Sequence, residues 1–270
     1  MNFLHAIILG IVQGLTEFIP VSSTAHLFIA SNLLGLPSDD RTFAFNVIVQ
    51  LGTVLAMLLY FWKDIWEITR AFFVGIYNKK PFDDPNARLG WLVVVATIPA
   101  LVFGLVLNNY VKEMFTDPLL WASIRLLFTA ALLAAVEYFD RKMRTLEVAT
   151  WQDALFIGFF QVLAIFPGAS RSGSTMAGAM FRGFDRPSAA RFAFLMSGPI
   201  LLAAGLYETL QAILMPNTTE FLPILIVGFV TSAIVGWLAI RWLMAYLRKN
   251  SLYIFAVYCF VAGIVVFFLK

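Results

Sequence analysis

The sequence predicts an all-α integral membrane protein: six transmembrane helices and two re-entrant helical hairpins, built as one polytopic domain with an inverted-topology repeat. Three observations lead there. The 270 residues are 61% hydrophobic and only 13% charged, with a mean hydropathy of +0.85, whereas soluble domains carry about 25% charged residues. Six apolar runs, at about 42–62, 89–107, 119–139, 190–210, 221–240 and 252–269, each reach the roughly 20 residues that a span requires. Two further apolar segments are each cut by a polar break.

The first of these segments opens the chain. Residues 4–18 would make about 22 Å of helix at 1.5 Å per residue, too short for a hydrocarbon core of about 30 Å. Pro20 breaks it. Helix can resume after the Ser22-Ser23-Thr24 cap and runs to about Leu36, where Gly35 and Pro37 stop it. Two half-length helices around a polar break make a re-entrant hairpin, tolerated at membrane depth where protein or a water-filled cavity surrounds it. Residues 151–181 repeat the pattern around Pro167-Gly168-Ala169-Ser170-Arg171-Ser172-Gly173-Ser174-Thr175.

Loop charge sets the orientation. Fourteen of the lysines and arginines, from Lys63 to Lys249, fall in loops on one side, against Arg41, Lys112 and Lys270 on the other. The positive-inside rule makes the first side cytoplasmic and puts both termini and the mouth of the first hairpin outside. Residues 63–88 read as a long cytoplasmic loop. Each half, about 1–140 and 151–270, holds one hairpin and three spans, so the second half enters the membrane the other way up. Gly10, Gln13 and Leu15 match Gly158, Gln161 and Leu163 at a constant offset, and Pro99 with Gly104 echoes Pro223 with Gly228.

Several classes fall away. Met1 to His5 lacks the basic region and cleavage site of a signal peptide and is expected to be structural. The lone Cys259 excludes an intramolecular disulfide and a thiolate metal site, leaving a packing role. A net charge of +3 is not gathered into any cluster resembling a nucleic-acid surface, so the partners expected are membrane lipids and no nucleic acid.

Charge at bilayer depth costs about 2.5–3.5 kcal/mol on insertion scales, so the polar residues of the two breaks call for a use. Breaks of opposite orientation meet near the midplane, each presenting a helix N-terminus, which attracts anions. Gly168 and Gly173 permit close backbone approach, Ser170, Ser172, Ser174 and Thr175 supply hydroxyl donors, and Arg171 supplies a fork suited to phosphate. Together they describe a phosphate site inside a membrane. Taken singly, the hydroxyls of Ser22, Ser23, Thr24 and the second break read as helix caps, and Arg171 reads as an ion-pair partner of Glu17. His26 stands three residues after Ser23 and four after Ser22, so either serine could pair with the imidazole as an activated nucleophile. Arg125 reads as a snorkelling side chain, Asn46 and Gln50 as an i, i+4 pair that lines the cavity or bonds between helices, and Asp153 and Glu137 as membrane-end carboxylates.

Gln13-Gly14-Leu15-Thr16-Glu17-Phe18-Ile19-Pro20-Val21-Ser22-Ser23-Thr24-Ala25-His26, with the second break, resembles the undecaprenyl-diphosphatase family, also known for bacitracin resistance. The resemblance covers nearly the whole chain. It implies a bacterial cytoplasmic-membrane phosphatase that removes the terminal phosphate of undecaprenyl diphosphate, recycling the lipid carrier for peptidoglycan synthesis and conferring bacitracin tolerance, with the active site open to the outer face. It also implies a divalent cation, Mg²⁺ or Ca²⁺, and leaves room for a homodimer. Carried over by position, the catalytic set is Glu17, Ser23, His26 and Arg171, with Ser22, Thr24, Gly168, Ser170, Ser172, Ser174 and Thr175 around the phosphates. Gln13 stands where many members carry glutamate, leaving Glu17 as the main side-chain anion for a cation and the Gln13 carbonyl oxygen as a further ligand. Ser23, Ser22 and a bound water all remain candidate nucleophiles. The rival reading is a transporter or flippase for a phosphate-bearing lipid, which needs the anion site but no nucleophile.

Overall fold

The computed structural model describes residues 1–37, 39–114, 118–139, 144–165, 169–213 and 218–269. Their regular elements are helices: α1 (Phe3–Thr16), α2 (Ser23–Leu33), α3 (Asp40–Tyr60), α4 (Trp62–Tyr77), α5 (Pro85–Met114), α6 (Pro118–Tyr138), α7 (Trp151–Leu163), α8 (Arg171–Phe181), α9 (Arg186–Ile213), α10 (Thr218–Leu247) and α11 (Tyr253–Phe268). Five of them, α3, α5, α6, α9 and α10, are long and apolar enough to cross a membrane. Large apolar side chains such as Leu105, Phe128, Ile234 and Val257 are exposed, as a lipid-facing surface requires.

The sixth expected span is shorter. α11 has 16 residues, about 24 Å of helix, lying inside the expected run of 252–269, while α10 runs on to Leu247 through chain expected as loop. Residues 63–88, expected as loop, hold the amphipathic helix α4. It puts Ile68 and Phe72 against α5, where the Phe72 ring lies 4.8 Å from that of Trp91. Its charged residues face away from that contact, which is why charge counting alone hid the helix. Arg191 of α9 bonds Asp64 of α4 at 3.1 Å.

The two pairs of half-length helices occur where expected, α1 with α2 and α7 with α8. Each leading helix packs against a long helix of the other half: α1 on α10, and α7 on α5. The contacts are backbone-close. A Cβ on Gly10 would lie 2.8 Å from the Gly228 carbonyl oxygen, and one on Gly158 would lie 2.5 Å from that of Ala96. Small residues that let helices approach in this way are the usual means of association in lipid. α3 packs on α10 and α9, while α6 packs on α11 with Ser123 Oγ donating to the Gly263 carbonyl at 2.8 Å.

The two membrane-end carboxylates are buried in ion pairs. Asp153 caps α7 through Thr150 and accepts from Arg144 and Arg182, both at 2.6 Å. Glu137 accepts from Arg186 and from the Leu252 backbone N–H. Burial by itself would raise the Asp153 pKa, but the hydrogen bonds from Arg144, Arg182 and Thr150 outweigh it and hold the carboxyl well below the usual carboxylate range. A depressed folded-state pKa contributes stability above the unfolded value of about 3.9 that is lost as pH falls through the folded value. Breaking a fully buried pair costs about 3–5 kcal/mol, but the two arginines are roughly a third exposed, so Asp153→Asn should cost about 2 kcal/mol at pH 7. Thermal unfolding in detergent should show that gap from wild type hold down to about pH 4 and shrink only below it; a gap independent of pH would sink the ion-pair account.

Candidate active site

α1 carries Gln13, and Glu17 caps its C-terminal end one turn on; both are buried inside the bundle. Beyond Thr16 the chain leaves the helix, passes Pro20, and reaches Ser22 with φ +68°, a conformation that L-residues other than Asn and Asp rarely adopt. α2 then starts at Ser23. The second break also ends at a serine, but in extended backbone. Ser170 Oγ accepts the Gly173 N–H at 3.2 Å as an N-cap, and α8 starts at Arg171.

The two helix starts converge on one carboxylate. Glu17, 3% exposed, accepts from Gln13 Nε2 at 2.7 Å and from Ser23 Oγ at 2.8 Å, and its other oxygen is paired with the Arg171 guanidinium. Beside it lies a cavity of about 290 Å³ whose walls include Glu17, Ser22, Ser23, Thr24, Ser170, Arg171 and Ser172. Seven of the residues expected around the phosphate thus come from both breaks to one space. The ion pair that the sequence offered as the alternative reading of Arg171 is also present.

Other expected residues sit elsewhere. Thr175 Oγ1 donates to the Arg171 carbonyl at 2.8 Å, and neither Thr175 nor Ser174, both fully buried, lines the cavity. Gly168 lies outside the described residues. His26 is not paired with a serine hydroxyl: its Nδ1 faces the Ser22 carbonyl at 2.9 Å and its Nε2 faces Tyr258 OH at 2.7 Å. A carbonyl only accepts, so Nδ1 carries the proton, and in the neutral ring Nε2 accepts from the tyrosine. The helical spacing that put His26 near Ser22 was met by the Ser22 backbone rather than its side chain. α11 supplies this cover, adding Cys259, whose thiol is buried 3.9 Å from the Pro20 carbonyl.

Two cavity residues, Arg125 and Gln161, were not foreseen there, and a third, Gln50, takes one of the two roles that the sequence left open. Arg125 is 5% exposed and lines the cavity instead of snorkelling. Gln50 lines it too, whereas Asn46, its partner one turn away, does not. Gln161 had one signal, its repeat match to Gln13.

Residues 6–265 match the family model for the bacitracin resistance protein BacA. The chain belongs to the BacA family. It is 40% identical over 272 residues to an undecaprenyl-diphosphatase of Chloroherpeton thalassium, covering 98% of this chain and 95% of the relative. It is 42% identical over 264 residues to one of Myxococcus xanthus, covering 98% and 88%, and 40% identical over 272 residues to one of a Mycobacterium species, covering 100% and 97%.

For a BacA chain with glutamine at position 13, the fit of a divalent cation rests on few groups. Among the described residues, no three His, Cys, Asp or Glu side chains gather at one point. Gln13 does offer an acceptor. Its Nε2 is turned to Glu17 and Thr53, at 2.7 and 3.4 Å, so its Oε1 is buried without a partner. One carboxylate and one amide oxygen fit an ion such as Mg²⁺ that keeps several waters and is otherwise held by substrate phosphates.

The Glu17–Arg171 pair makes a stability prediction. Removing one partner of a buried pair costs about 3–5 kcal/mol, so Arg171→Met should lose about 3 kcal/mol, its side chain being one-fifth exposed. Glu17→Gln/Arg171→Met should lose less than Arg171→Met alone, as measured by thermal unfolding in detergent. Additive losses would show that the two groups are not coupled.

Proposed function

We propose that this protein is a membrane phosphatase that hydrolyses undecaprenyl diphosphate to undecaprenyl phosphate and phosphate, recycling the lipid carrier for peptidoglycan synthesis and conferring bacitracin tolerance. The observation that carries the reading is the Ser23 hydroxyl hydrogen-bonded to the buried carboxylate of Glu17, which Arg171 pairs from the other break. The relatives named undecaprenyl-diphosphatase support the substrate.

The terminal phosphate sits where α2 and α8 begin, held by backbone N–H groups, Arg171 and the hydroxyls of Ser22, Thr24, Ser170 and Ser172. Ser23 Oγ attacks the terminal phosphorus and passes its proton to Glu17, while the bond to the bridging oxygen breaks and undecaprenyl phosphate leaves. Water then attacks the phosphoserine; as the bond from phosphorus to Ser23 Oγ breaks, Glu17 returns its proton to Ser23, and phosphate leaves with both protons of the water. Glu17 takes the base role from His26 because it is the group within hydrogen-bond reach of Ser23. His26 positions the break through the Ser22 carbonyl. Ser174 and Thr175 act through the helix that presents Arg171. A divalent cation, Mg²⁺ or Ca²⁺, would be held by Glu17 and Gln13 Oε1 and would neutralise diphosphate charge. Phosphoryl transfer asks mainly for positioning and charge stabilisation.

The architecture proposed is one membrane domain of six spans and two re-entrant hairpins, the halves inverted about the midplane, with both termini outside and the site open to the outer face of the cytoplasmic membrane. The exchanged packing of α1 on α10 and α7 on α5 supports it, since a two-fold relation between halves requires such reciprocal pairs. The same architecture favours the rival, a lipid transporter or flippase, which would bind the diphosphate without releasing phosphate.

Phosphate release by the purified protein in detergent separates the two. Ser23→Ala should abolish turnover and Ser22→Ala should keep a measurable fraction. Glu17→Gln should fall by about 10² to 10⁴, the usual worth of a general base, and His26→Ala by less. A Ser23→Ala protein that still turns over would move the attack to water. External labelling of a cysteine placed near the C-terminus checks the orientation; cytoplasmic exposure would overturn the inverted arrangement proposed.

A further inference from the structure

The mechanism above uses one wall of the cavity. Arg125 of α6 and Gln161 of α7 line the same space, from elements that belong to neither helix start. Gln161 is 2% exposed, and neither its Nε2 nor its Oε1 has a hydrogen-bond partner. An amide buried with both ends unpartnered is costly and calls for an explanation, and a ligand that both donates and accepts supplies one. Glu17, Arg125 and Arg171 bring one carboxylate and two guanidinium groups to the cavity wall. Arg125 is also held in register with the site. One turn along α6, Thr129 Oγ1 donates to the Arg125 carbonyl at 2.6 Å and accepts the Ser170 N–H at 3.3 Å, tying α6 to the cap of α8.

We infer that Arg125 and Gln161 form a second phosphate subsite, which takes the phosphate esterified to the lipid while the terminal phosphate lies between Ser23 and Arg171. The inference rests on the phosphatase reading and deepens it. A diphosphate engages both subsites at once, whereas the monophosphate product and free phosphate each engage one. Selection for diphosphate and release of the products then have the same origin. Arg125 supplies charge and two or more N–H donors; Gln161 supplies a donor to the phosphate oxygens and an acceptor for a phosphate hydroxyl or bound water.

The test uses the purified full chain in detergent. Affinities for inorganic pyrophosphate and for orthophosphate are measured by calorimetry, and kcat and KM are measured with farnesyl diphosphate, for wild type, Arg125→Gln, Arg125→Lys and Gln161→Leu. Arg125→Gln should reduce the ratio of pyrophosphate to orthophosphate affinity by about tenfold or more, the worth of a charge-assisted hydrogen bond, and raise KM more than it lowers kcat. Arg125→Lys should recover part of the ratio, and Gln161→Leu should lower it by about threefold or more. Folded variants in which the ratio is unchanged overturn the subsite. If Arg125→Gln does not fold, Arg125→Lys and Gln161→Leu decide by the same ratio. Wild type that binds pyrophosphate selectively, and loses that selectivity in the variants, yet releases no phosphate from farnesyl diphosphate would instead overturn the phosphatase reading and leave the subsite standing.

Discussion

A carboxylate and a guanidinium meeting inside an apolar bundle set the terms for the rest of this fold. Neither Glu17 nor Arg171 is tolerable alone at that depth, and each sits at a point where a helix has stopped or is starting. Their pairing obliges the two breaks to meet. Once they meet, two helix N-termini, Ser23 and a set of hydroxyls are brought to the same cavity. The pair is therefore a structural ion pair that also lines the cavity, so the ion-pair reading of Arg171 does not exclude the phosphate role proposed for it.

The arrangement also explains how hydroxyl-rich breaks survive among apolar helices. Ser170 caps α8, Thr129 takes the Ser170 N–H, Thr175 bonds back to the Arg171 carbonyl, and His26 holds the Ser22 carbonyl where the backbone turns through positive φ. Most polar groups there serve the geometry of the break. Only those left facing the cavity are free for a substrate, which reduces a long roster of candidate donors to a short one.

Much of this was legible in the sequence, for physical reasons. Half-length apolar runs split by proline and serine announce broken helices, and a buried charge in each break announces that the breaks must find one another. The glycine matches between halves proved to mark where Gly10 and Gly158 touch backbone of the opposite half. What escaped depends on direction rather than composition. Helical spacing places His26 near Ser22 but does not say which atom it meets, and Tyr258, 232 residues away, leaves no local trace. Arg125 near a span end reads as a snorkelling residue until the packing of α6 on α8 turns it inward. α4 escaped because Lys63, Asp64, Glu67 and Arg70 interrupt its apolar residues and so read as loop, although they fall on one side of an amphipathic helix.

The packing of α1 on α10 and of α7 on α5 is reciprocal in space but not in time. When α7 is synthesised, its partner α5 is already in place, so the second hairpin can dock as it emerges. α1 comes out first, yet the helix it packs against, α10, is next to last. Gln13 and Glu17 find each other, Ser23 and Thr53 within the first part of the chain, but the guanidinium that balances Glu17 comes only with the second break. The charge of Glu17 therefore stays unbalanced until a residue 154 positions later has been made, so a chain cut before the second break would keep a carboxylate in its apolar interior with no counter-charge from Arg171.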